Sequence, residues 1–268
     1  LDEYEKIISI HKELDECISF NVGLARFKLL KAKKDCSKFY QLLDTSVNLK
    51  PVRLFHDFDY ALESKVLNVF EEELKENKIL SNVLVTVVMP TYNRIKTIKK
   101  AIDSVLVQSH ANFELIIVDD GSSDGTSNFI DNTYNDKRIK LIKGLRKGVS
   151  GARNLAIKNS TGKYIFYLDS DNFWHPEYME LMIAGFLLSG KETGYSAVKV
   201  LDENSQVMGY RGESFNWDEC LRSNFVDLNP FGHSRKLITE LGGFDENLNR
   251  MVDWDMILRF TKKYPPFY

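Results

Sequence analysis

The sequence predicts an α/β fold in which a mostly parallel β-sheet is flanked by helices and preceded by a helical N-terminal region. From Val83 onward, short apolar runs rich in β-branched residues alternate with helical stretches, which is the pattern of βαβ units. Before that point the chain has helical periodicity and almost no strand pattern. We therefore predict a helical region over residues 1–80 and an α/β domain over residues 81–268.

The composition is that of an ordinary globular protein. Of its 268 residues, 43% are hydrophobic and 28% are charged, which excludes a disordered chain. The net charge of −2 gives no overall basic surface, so we expect no nucleic-acid partner. The three cysteines lack CxxC spacing, which argues against a disulfide framework or a cysteine-rich zinc site. No apolar stretch approaches the ~20 residues of a membrane span, and we expect a cytoplasmic location.

The N-terminal region is predicted to contain three helices, over about residues 4–18, 24–43 and 60–78. The second helix carries a basic run, which consists of Arg26, Lys28, Lys31, Lys33, Lys34 and Lys38. Two interpretations of this run stay open: a solvated helix face, or a surface that contacts another module or the inner face of an anionic membrane. Since the chain begins with Leu1 rather than Met, a fragment of a larger protein is a further alternative.

Four strands and three intervening helices are predicted in the α/β domain. The strands cover residues 83–89, 113–118, 139–142 and 163–168, and the helices cover about residues 94–108, 124–134 and 150–160. We expect the first strand to end at Pro90 and a later helix to begin at Asp253. Ligands bind beyond the carboxyl ends of the strands in such sheets. Residues that directly follow the strands are therefore the first candidates for function.

Acidic side chains follow two of these strands, and an aromatic side chain follows another. Asp119 and Asp120 end the second strand, whereas Asp169 and Asp171 follow the fourth. Converging carboxylates repel unless a cation lies among them, and such a pair suits Mg²⁺ or Mn²⁺, which can bridge phosphate oxygens. A turn or a helix cap explains the same residues without a metal. Tyr92, after the first strand, could stack on a base or cover the sheet.

A glycine-bearing helix start follows the third strand, over residues 148–154, and is preceded by Arg146 and Lys147. Free N–H groups at a helix start attract phosphate, and the two cations would add to that attraction. A capped helix with solvated charges is the alternative. No Gly-Lys-Ser/Thr closes the segment, so it is not a Walker loop. We expect Arg153 and Asn154 to face the strand ends.

Five motifs, in order, resemble those of family 2 glycosyltransferases with the GT-A fold. They are Pro-Thr-Tyr-Asn-Arg at 90–94, Val-Asp-Asp-Gly-Ser at 118–122, Gly-Ala-Arg-Asn at 151–154, Tyr-Leu-Asp-Ser-Asp at 167–171, and Gly-Gly-Phe-Asp-Glu at 242–246 followed by Val-Asp-Trp-Asp. The resemblance covers about residues 83–262 and implies a Rossmann-like sheet. It also implies an inverting transferase that uses a nucleotide sugar, usually a UDP- or dTDP-sugar, and Mn²⁺ or Mg²⁺.

The same resemblance implies a role for each matching residue. Those implied for nucleotide-sugar binding are Pro90, Thr91, Tyr92, Asp120, Arg153, Asp169 and Ser170. Asp169 and Asp171 would hold the metal, and Asp253 would be the general base. The implied acceptor is a glycan, lipid-linked or polymeric, so the enzyme would be a hexosyl- or N-acetylhexosaminyl-transferase of polysaccharide biosynthesis.

The chain departs from the family at Val252, where the family usually has Glu beside the implied base. We expect weaker like-charge repulsion there and easier ionisation of Asp253. Asp255 is expected to complement the helix dipole, and Trp254 to lie in the core or in the wall of the acceptor site. His233 is a candidate contact for metal or phosphate, although a lone histidine is more often structural.

Two other functions stay open. A sugar-phosphate nucleotidyltransferase would use the same strand-end acids, but it would carry a glycine-rich phosphate loop after the first strand, where this chain has Tyr92, Asn93 and Arg94. A non-catalytic binding or scaffold module is supported in the sequence by Val252 alone. Sugar transfer, or metal-dependent binding of UDP, would separate this last alternative from an enzyme.

Overall fold

The computed structural model describes residues 81–144, 146–202 and 206–268. Within them the chain divides into two compact units, one formed by residues 81–195 and 216–267 and the other by residues 196–215 and 268. The helices and the basic run predicted within residues 1–80 lie outside the described residues, as does the predicted domain boundary near residue 80.

The described residues form eight strands and seven helices. The strands are β1 (Val85–Thr91), β2 (Phe113–Asp119), β3 (Ile139–Lys143), β4 (Tyr164–Tyr167), β5 (Thr193–Tyr195), β6 (Val198–Leu201), β7 (Val207–Arg211) and β8 (Phe231–Ser234). The helices are α1 (Ile98–Leu106), α2 (Thr126–Thr133), α3 (Gly148–Lys158), α4 (Tyr178–Ser189), α5 (Trp217–Cys220), α6 (Lys236–Leu241) and α7 (Val252–Lys263). The order from β1 to β4 confirms the predicted βαβ alternation.

A six-stranded sheet, in the order β3-β2-β1-β4-β8-β5, forms the centre of the larger unit. The first four strands pair in parallel, whereas β8 is antiparallel to both β4 and β5. The predicted α/β fold with a mostly parallel sheet is therefore confirmed. This strand order brings the carboxyl ends of β1, β2 and β4 side by side.

Burial on both faces of the sheet explains why its strands are continuous apolar runs. All seven residues of β1 and all four of β4 are buried. Helix α1 buries Ile98, Ala101, Ile102 and Val105, which recur at the spacing of one helix face. The longest described helices, α4 and α7, have 12 residues each, and no described helix is long and apolar enough to cross a membrane.

Pro90 does not end the first strand, contrary to the prediction. β1 continues to Thr91, with Pro90 opposite Val118 of β2. The Val88 carbonyl accepts a hydrogen bond (3.0 Å) from the Leu168 N–H on the β4 side. Backbone polar groups alternate sides along a strand, so Pro90 faces that same side but lies beyond the end of β4. The N–H that proline lacks therefore interrupts no pair in the sheet.

The smaller unit contains an antiparallel pair of strands, β6 and β7. The pairing begins with Val198 opposite Arg211 and ends with Leu201 opposite Val207. The sequence after Tyr195 has no clear periodicity, and it does not predict this pair.

His233 lies in β8 and is fully buried. Its Nδ1–H donates to the Ser234 carbonyl (2.8 Å), and its Nε2 accepts from the Tyr167 hydroxyl (2.7 Å). Burial lowers the pKa of His233 to about 4, so the ring is neutral at pH 7. The structural interpretation of His233 is confirmed, and both ring nitrogens are already bonded within the protein.

The buried neutral ring predicts a specific pH dependence of stability. The pKa of His233 is about 4 in the folded chain and 6.5 without burial, so the unfolded chain takes up the proton first as the pH falls. Between pH 7 and pH 5 this residue should therefore lower the free energy of unfolding by about 2 kcal/mol. We expect His233→Gln to remove that portion, as measured by urea unfolding at both pH values. His175→Gln is the comparison variant: burial also lowers the pKa of His175, but its side chain is 67% exposed, so this variant should remove a smaller portion. An unchanged pH dependence in His233→Gln would contradict the prediction.

Candidate active site

A cavity of about 560 Å³ opens at the carboxyl ends of β1, β2 and β4. This volume is within the range of small-molecule sites in proteins. Its wall contains eight of the nine predicted site residues: Pro90, Thr91, Tyr92, Asp120, Arg153, Asp169, Ser170 and Asp171. The strand ends thus meet at one cavity, as the predicted topology requires. The binding roles of the individual residues stay predictions.

The loop after β1 holds Tyr92 at the cavity through bonds to the loop after β2. Asn93 has a positive φ of 52°, a left-handed conformation that asparagine tolerates better than most residues. Its N–H donates to the Ser122 hydroxyl (2.8 Å), and its side-chain oxygen accepts from the Ser123 N–H (2.8 Å). Tyr92 is 52% exposed in this arrangement, so its ring does not cover the sheet and is accessible for stacking.

The two adjacent acids at the end of β2 have different partners. Asp119 is buried and orders its own loop, since its Oδ1 accepts from the Ser122 N–H (3.0 Å). Asp120 accepts from the N–H groups of Lys147 (3.0 Å) and Gly148 (2.8 Å), so it binds the start of α3 to the end of β2. The prediction of free N–H groups at this helix start is therefore wrong for these two residues.

The guanidinium of Arg153 is shared by two acidic side chains from different elements. Its Nη2 donates to Oδ1 of Asp169 (2.8 Å) after β4, and its Nη1 donates to Asp253 in the first turn of α7. The Arg153 side chain is only 3% exposed, whereas those of Asp169 and Asp253 are 31% and 33% exposed. Arg153 therefore supplies the positive charge that two converging acids need.

The uncharged neighbour Val252 led us to predict that Asp253 ionises more easily than usual. The structure contradicts this prediction. Burial raises the pKa of the Asp253 carboxyl, Arg153 lowers it, and the negative charges of Asp169 and Asp227 raise it again. Val252 is buried and carries no charge, but acids from two other segments of the chain supply like-charge repulsion in its place. The prediction was wrong because it considered only the neighbour in sequence.

The other residues at the start of α7 make structural contacts. Asp255 pairs with Arg259 one turn later (2.8 Å), and Arg259 also donates to the Leu241 carbonyl (2.8 Å). The Trp254 indole N–H donates to the Cys220 carbonyl (2.7 Å). Asp255 is thus engaged by a cation of its own helix, which agrees with its predicted non-catalytic role.

Asn154 does not face the strand ends, contrary to the prediction. Its side-chain N–H donates to the Phe244 carbonyl (2.9 Å), and its side-chain oxygen accepts from the Phe244 N–H (2.9 Å). A Cβ on Gly243 would lie 2.4 Å from that oxygen, so this close approach requires glycine. Asn154 therefore anchors the loop that precedes α7 to α3.

Sequence reasoning missed Asn229, which contacts Asp169 at two points. Its side-chain oxygen accepts from the Asp169 N–H (2.8 Å), and its side-chain nitrogen lies 3.4 Å from Oδ2 of Asp169. The same nitrogen donates to Oδ1 of Asp227 (3.0 Å). The only signal in the sequence is the dipeptide Asn229-Pro230, which indicates a turn and gives no hint of a partner 60 residues away.

Asp169 and Asp171 are the acids that could hold a divalent cation. Asp171 forms a loose pair with Arg94, in which Nε lies 3.4 Å from Oδ2 and both side chains are about half exposed. Within the described ranges, no group of three or more histidine, cysteine or acidic side chains could hold a metal ion by itself. Two carboxylates fit a cation that takes its other ligands from phosphate and water. The residues present therefore suit Mg²⁺ or Mn²⁺ bound together with a phosphate-bearing ligand.

Two buried polar atoms of the cavity wall have no hydrogen-bond partner among the described residues. They are Oγ1 of Thr91 and Nε of Arg153, and these two residues are 3% and 2% exposed. Buried polar groups are normally bonded. These atoms therefore favour a ligand, or bound water, with polar groups at this depth of the cavity.

Removing the shared guanidinium should destabilise the fold measurably. Arg153→Met leaves Asp169 and Asp253 without the charge between them, and we expect the free energy of unfolding at pH 7 to fall by about 2 kcal/mol. This is less than for a fully buried pair because both carboxylates are about one-third exposed. Adding Asp253→Asn should recover part of the loss, since it removes one repelling charge. Denaturant unfolding of the two single variants and the double variant tests this, and strictly additive effects would contradict it.

Comparison of the amino-acid sequence with known proteins identifies a family. Residues 86–210 match the family model described as Glycosyl transferase family 2. The chain is 40% identical over 129 residues to the UDP-Glc:alpha-D-GlcNAc-diphosphoundecaprenol beta-1,3-glucosyltransferase WfgD of Escherichia coli, which covers 48% of this chain and 51% of that protein. It is 31% identical over 214 residues to the chondroitin synthase of Escherichia coli, and this match covers 76% of this chain and 30% of that protein. The chain thus spans about half or less of the length of these relatives.

Solved structures share the fold. TarS 1–349 of S. aureus in complex with UDP-GlcNAc matches with a TM-score of 0.56 at 20% identity, over 68% of this chain and 54% of that one. The mannosyltransferase PcManGT from Pyrobaculum calidifontis, in complex with GDP-Man and Mn²⁺, matches with a TM-score of 0.55 at 19% identity. This match covers 77% of this chain and 64% of that one. At such identities the likeness shows the fold alone, which is that of the GT-A glycosyltransferases. With the family match over residues 86–210, it follows that this chain carries a domain of glycosyltransferase family 2.

Proposed function

We propose that this domain is an inverting glycosyltransferase that moves a sugar from a nucleotide-diphosphate sugar to a hydroxyl group of an acceptor. The observation that carries the proposal is the composition of one cavity wall, which combines the exposed Tyr92 ring, the carboxylate of Asp120 and the pair Asp169 and Asp171. A nucleotide sugar presents a base and a diphosphate on one molecule. The wall offers an aromatic surface for the first and cation-binding acids for the second.

The strand ends β1 and β2 suit the base. Stacking on the Tyr92 ring is worth about 1–3 kcal/mol per base. Each oxygen of Asp120 accepts one backbone bond and keeps a further lone pair, so the carboxylate can also accept an N–H from a base. Uracil carries such an N–H at N3, whereas cytosine does not. We therefore favour a UDP-sugar, a preference that the UDP-GlcNAc complex of the similar TarS structure supports.

The end of β4 suits the diphosphate. Asp169 and Asp171 would hold Mn²⁺ or Mg²⁺, and a cation bound there supplies positive charge against the negative charge that develops on the departing diphosphate. Arg94 and Arg146 lie in the same wall and add positive charge of the protein itself. The Mn²⁺ and GDP-Man that accompany the similar PcManGT structure support this assignment.

Asp253 is the proposed general base. The attacking hydroxyl must lose its proton, and in an inverting reaction the base lies on the face of the sugar opposite the leaving group. Asp253 is not part of the cavity wall, yet the Arg153 guanidinium links it directly to Asp169, so it lies beside the donor site. Burial raises the pKa of Asp253, which makes its carboxylate a stronger base.

The acceptor is proposed to be a glycan, either lipid-linked or polymeric. The name of the WfgD relative specifies a sugar attached to diphosphoundecaprenol, and another relative is a chondroitin synthase. These names support a hexosyl- or N-acetylhexosaminyl-transferase of polysaccharide biosynthesis. The chain covers only part of both relatives, so the proposal concerns the domain rather than a whole protein.

Donor binding is the first test. We expect UDP to bind in the presence of Mn²⁺ and to exceed the affinity of CDP by about tenfold. Cytosine lacks the N3–H that uracil can donate to the Asp120 carboxylate, and a hydrogen bond to a charged group is worth about 1.5–3 kcal/mol. Asp171→Ala should abolish the Mn²⁺-dependent part of UDP binding without unfolding the protein. Calorimetry on the folded variants measures both effects. Unchanged UDP affinity of Asp171→Ala in saturating Mn²⁺ would exclude the proposed metal site.

The base is tested by two matched variants at positions two residues apart in α7. Asp253→Asn should lower sugar transfer by roughly 10²–10⁴-fold, the contribution of a positioned base. Asp255→Asn removes a carboxylate that pairs with Arg259 and should have a far smaller effect on transfer. UDP affinity, measured alongside, should survive in both. An inactive Asp255→Asn with an active Asp253→Asn would show that the base is assigned to the wrong carboxylate.

A further inference from the structure

Each acidic side chain in the cavity wall already has a partner from the protein. Asp120 accepts from two backbone N–H groups, and Asp169 pairs with the buried Arg153. Among the charged side chains of the described residues, Arg94 is the one that lies within 4 Å of Asp171. Each acid of the cavity wall is therefore paired with a backbone N–H group or an arginine before any ligand binds.

The Arg94–Asp171 pair differs from the other two in how easily it can open. The partners of Asp120 are fixed backbone groups, and the Arg153 side chain is 3% exposed. The Arg94 side chain is 46% exposed, and its Nε lies 3.4 Å from Oδ2 of Asp171, which is longer than a good hydrogen bond. A solvent-exposed pair of this kind contributes about 1 kcal/mol or less. Asp171 is therefore the acid of the wall whose partner is displaced at the lowest cost in free energy.

The base of the Arg94 side chain is fixed even though its end is not. The Arg94 N–H donates to the Thr126 hydroxyl (3.0 Å), and the next residue, Ile95, donates its N–H to Asp124 (3.0 Å). Both bonds join this loop to the start of α2. A guanidinium released from Asp171 would therefore stay at the rim of the cavity instead of moving away with its loop.

We propose that Arg94 is an exchangeable counter-ion: it neutralises Asp171 while the cavity holds no cation, and it transfers to the diphosphate of the donor when a divalent cation takes Asp171. The inference rests on the proposed function, since it requires a diphosphate ligand and a cation at this wall. It adds a role for Arg94 that links the two binding events. Guanidinium groups form strong, charge-assisted bonds with phosphate oxygens, so the released side chain gains a partner at the moment it loses one.

This exchange has opposite consequences for the two ligands. Before the donor arrives, Arg94 competes with the cation for Asp171 and weakens the binding of the cation alone. Once the donor is bound, Arg94 contacts the diphosphate and strengthens the complex. Removal of Arg94 should therefore raise the affinity for the cation alone and lower the affinity for the donor. Loss of a merely structural residue would not raise an affinity.

The test measures both affinities in Arg94→Gln. We expect the affinity for Mn²⁺ alone, followed by the EPR signal of free Mn²⁺, to rise about two- to fivefold, which corresponds to loss of an exposed ion pair. The affinity for UDP in saturating Mn²⁺, measured by calorimetry, should fall about tenfold, as for loss of a hydrogen bond between charged groups. Arg94→Lys, which keeps the charge, should restore part of both values.

Two variants serve as controls. Arg146→Gln removes another cation of the same wall that has no contact with Asp171, so it should weaken UDP binding without raising Mn²⁺ affinity. Lys100→Gln removes a cation that lies over the Phe173 ring and should leave both affinities unchanged. An Mn²⁺ affinity that is unchanged or lower in folded Arg94→Gln would overturn the exchange, as would unchanged UDP affinity. A wild-type protein that binds neither Mn²⁺ nor UDP would instead overturn the proposed function itself.

Discussion

The convergence of acidic side chains on one edge of the sheet is the constraint on which the rest of this site depends. Asp169 follows β4 and Asp253 lies in the first turn of α7, and neither could approach the other without a positive charge between them. Arg153 supplies that charge from α3, with a guanidinium that is almost completely buried. One side chain thus fixes the relative position of a strand end, a helix start and the helix that carries it.

Hydrogen bonds between side chains and backbone bring the loops around this edge into a defined shape. Asp120 binds the start of α3, Asn93 binds the loop after β2, and Asn229 binds the N–H of Asp169. Each bond joins segments that are distant in sequence but adjoin neighbouring strands at the same edge of the sheet. Loops held in this way can keep cavity-lining groups in place, which lowers the entropy lost when a ligand binds.

The fold and the edge that carries the site were predictable because both depend on local patterns. Apolar runs predict buried strands, and parallel order alone brings their ends together. Partner choice was not predictable in the same way. The sequence gives no sign that Asp120 contacts Lys147, that Asn154 turns towards Phe244, or that Asn229 reaches Asp169. Such contacts depend on loop conformation, in which a residue's neighbours in space are not its neighbours in sequence.

The balance of charge in the cavity wall restricts what can bind there. Three arginines, Arg94, Arg146 and Arg153, face three aspartates, Asp120, Asp169 and Asp171. A ligand that brought only a cation or only a polyanion would leave a partly buried excess charge, which is costly. The diphosphate of a nucleotide sugar and a divalent cation carry opposite charges of equal size, so they enter together without disturbing the balance. Under the proposed function, the wall would therefore favour joint binding of the two, with its own ion pairs exchanging partners rather than being lost.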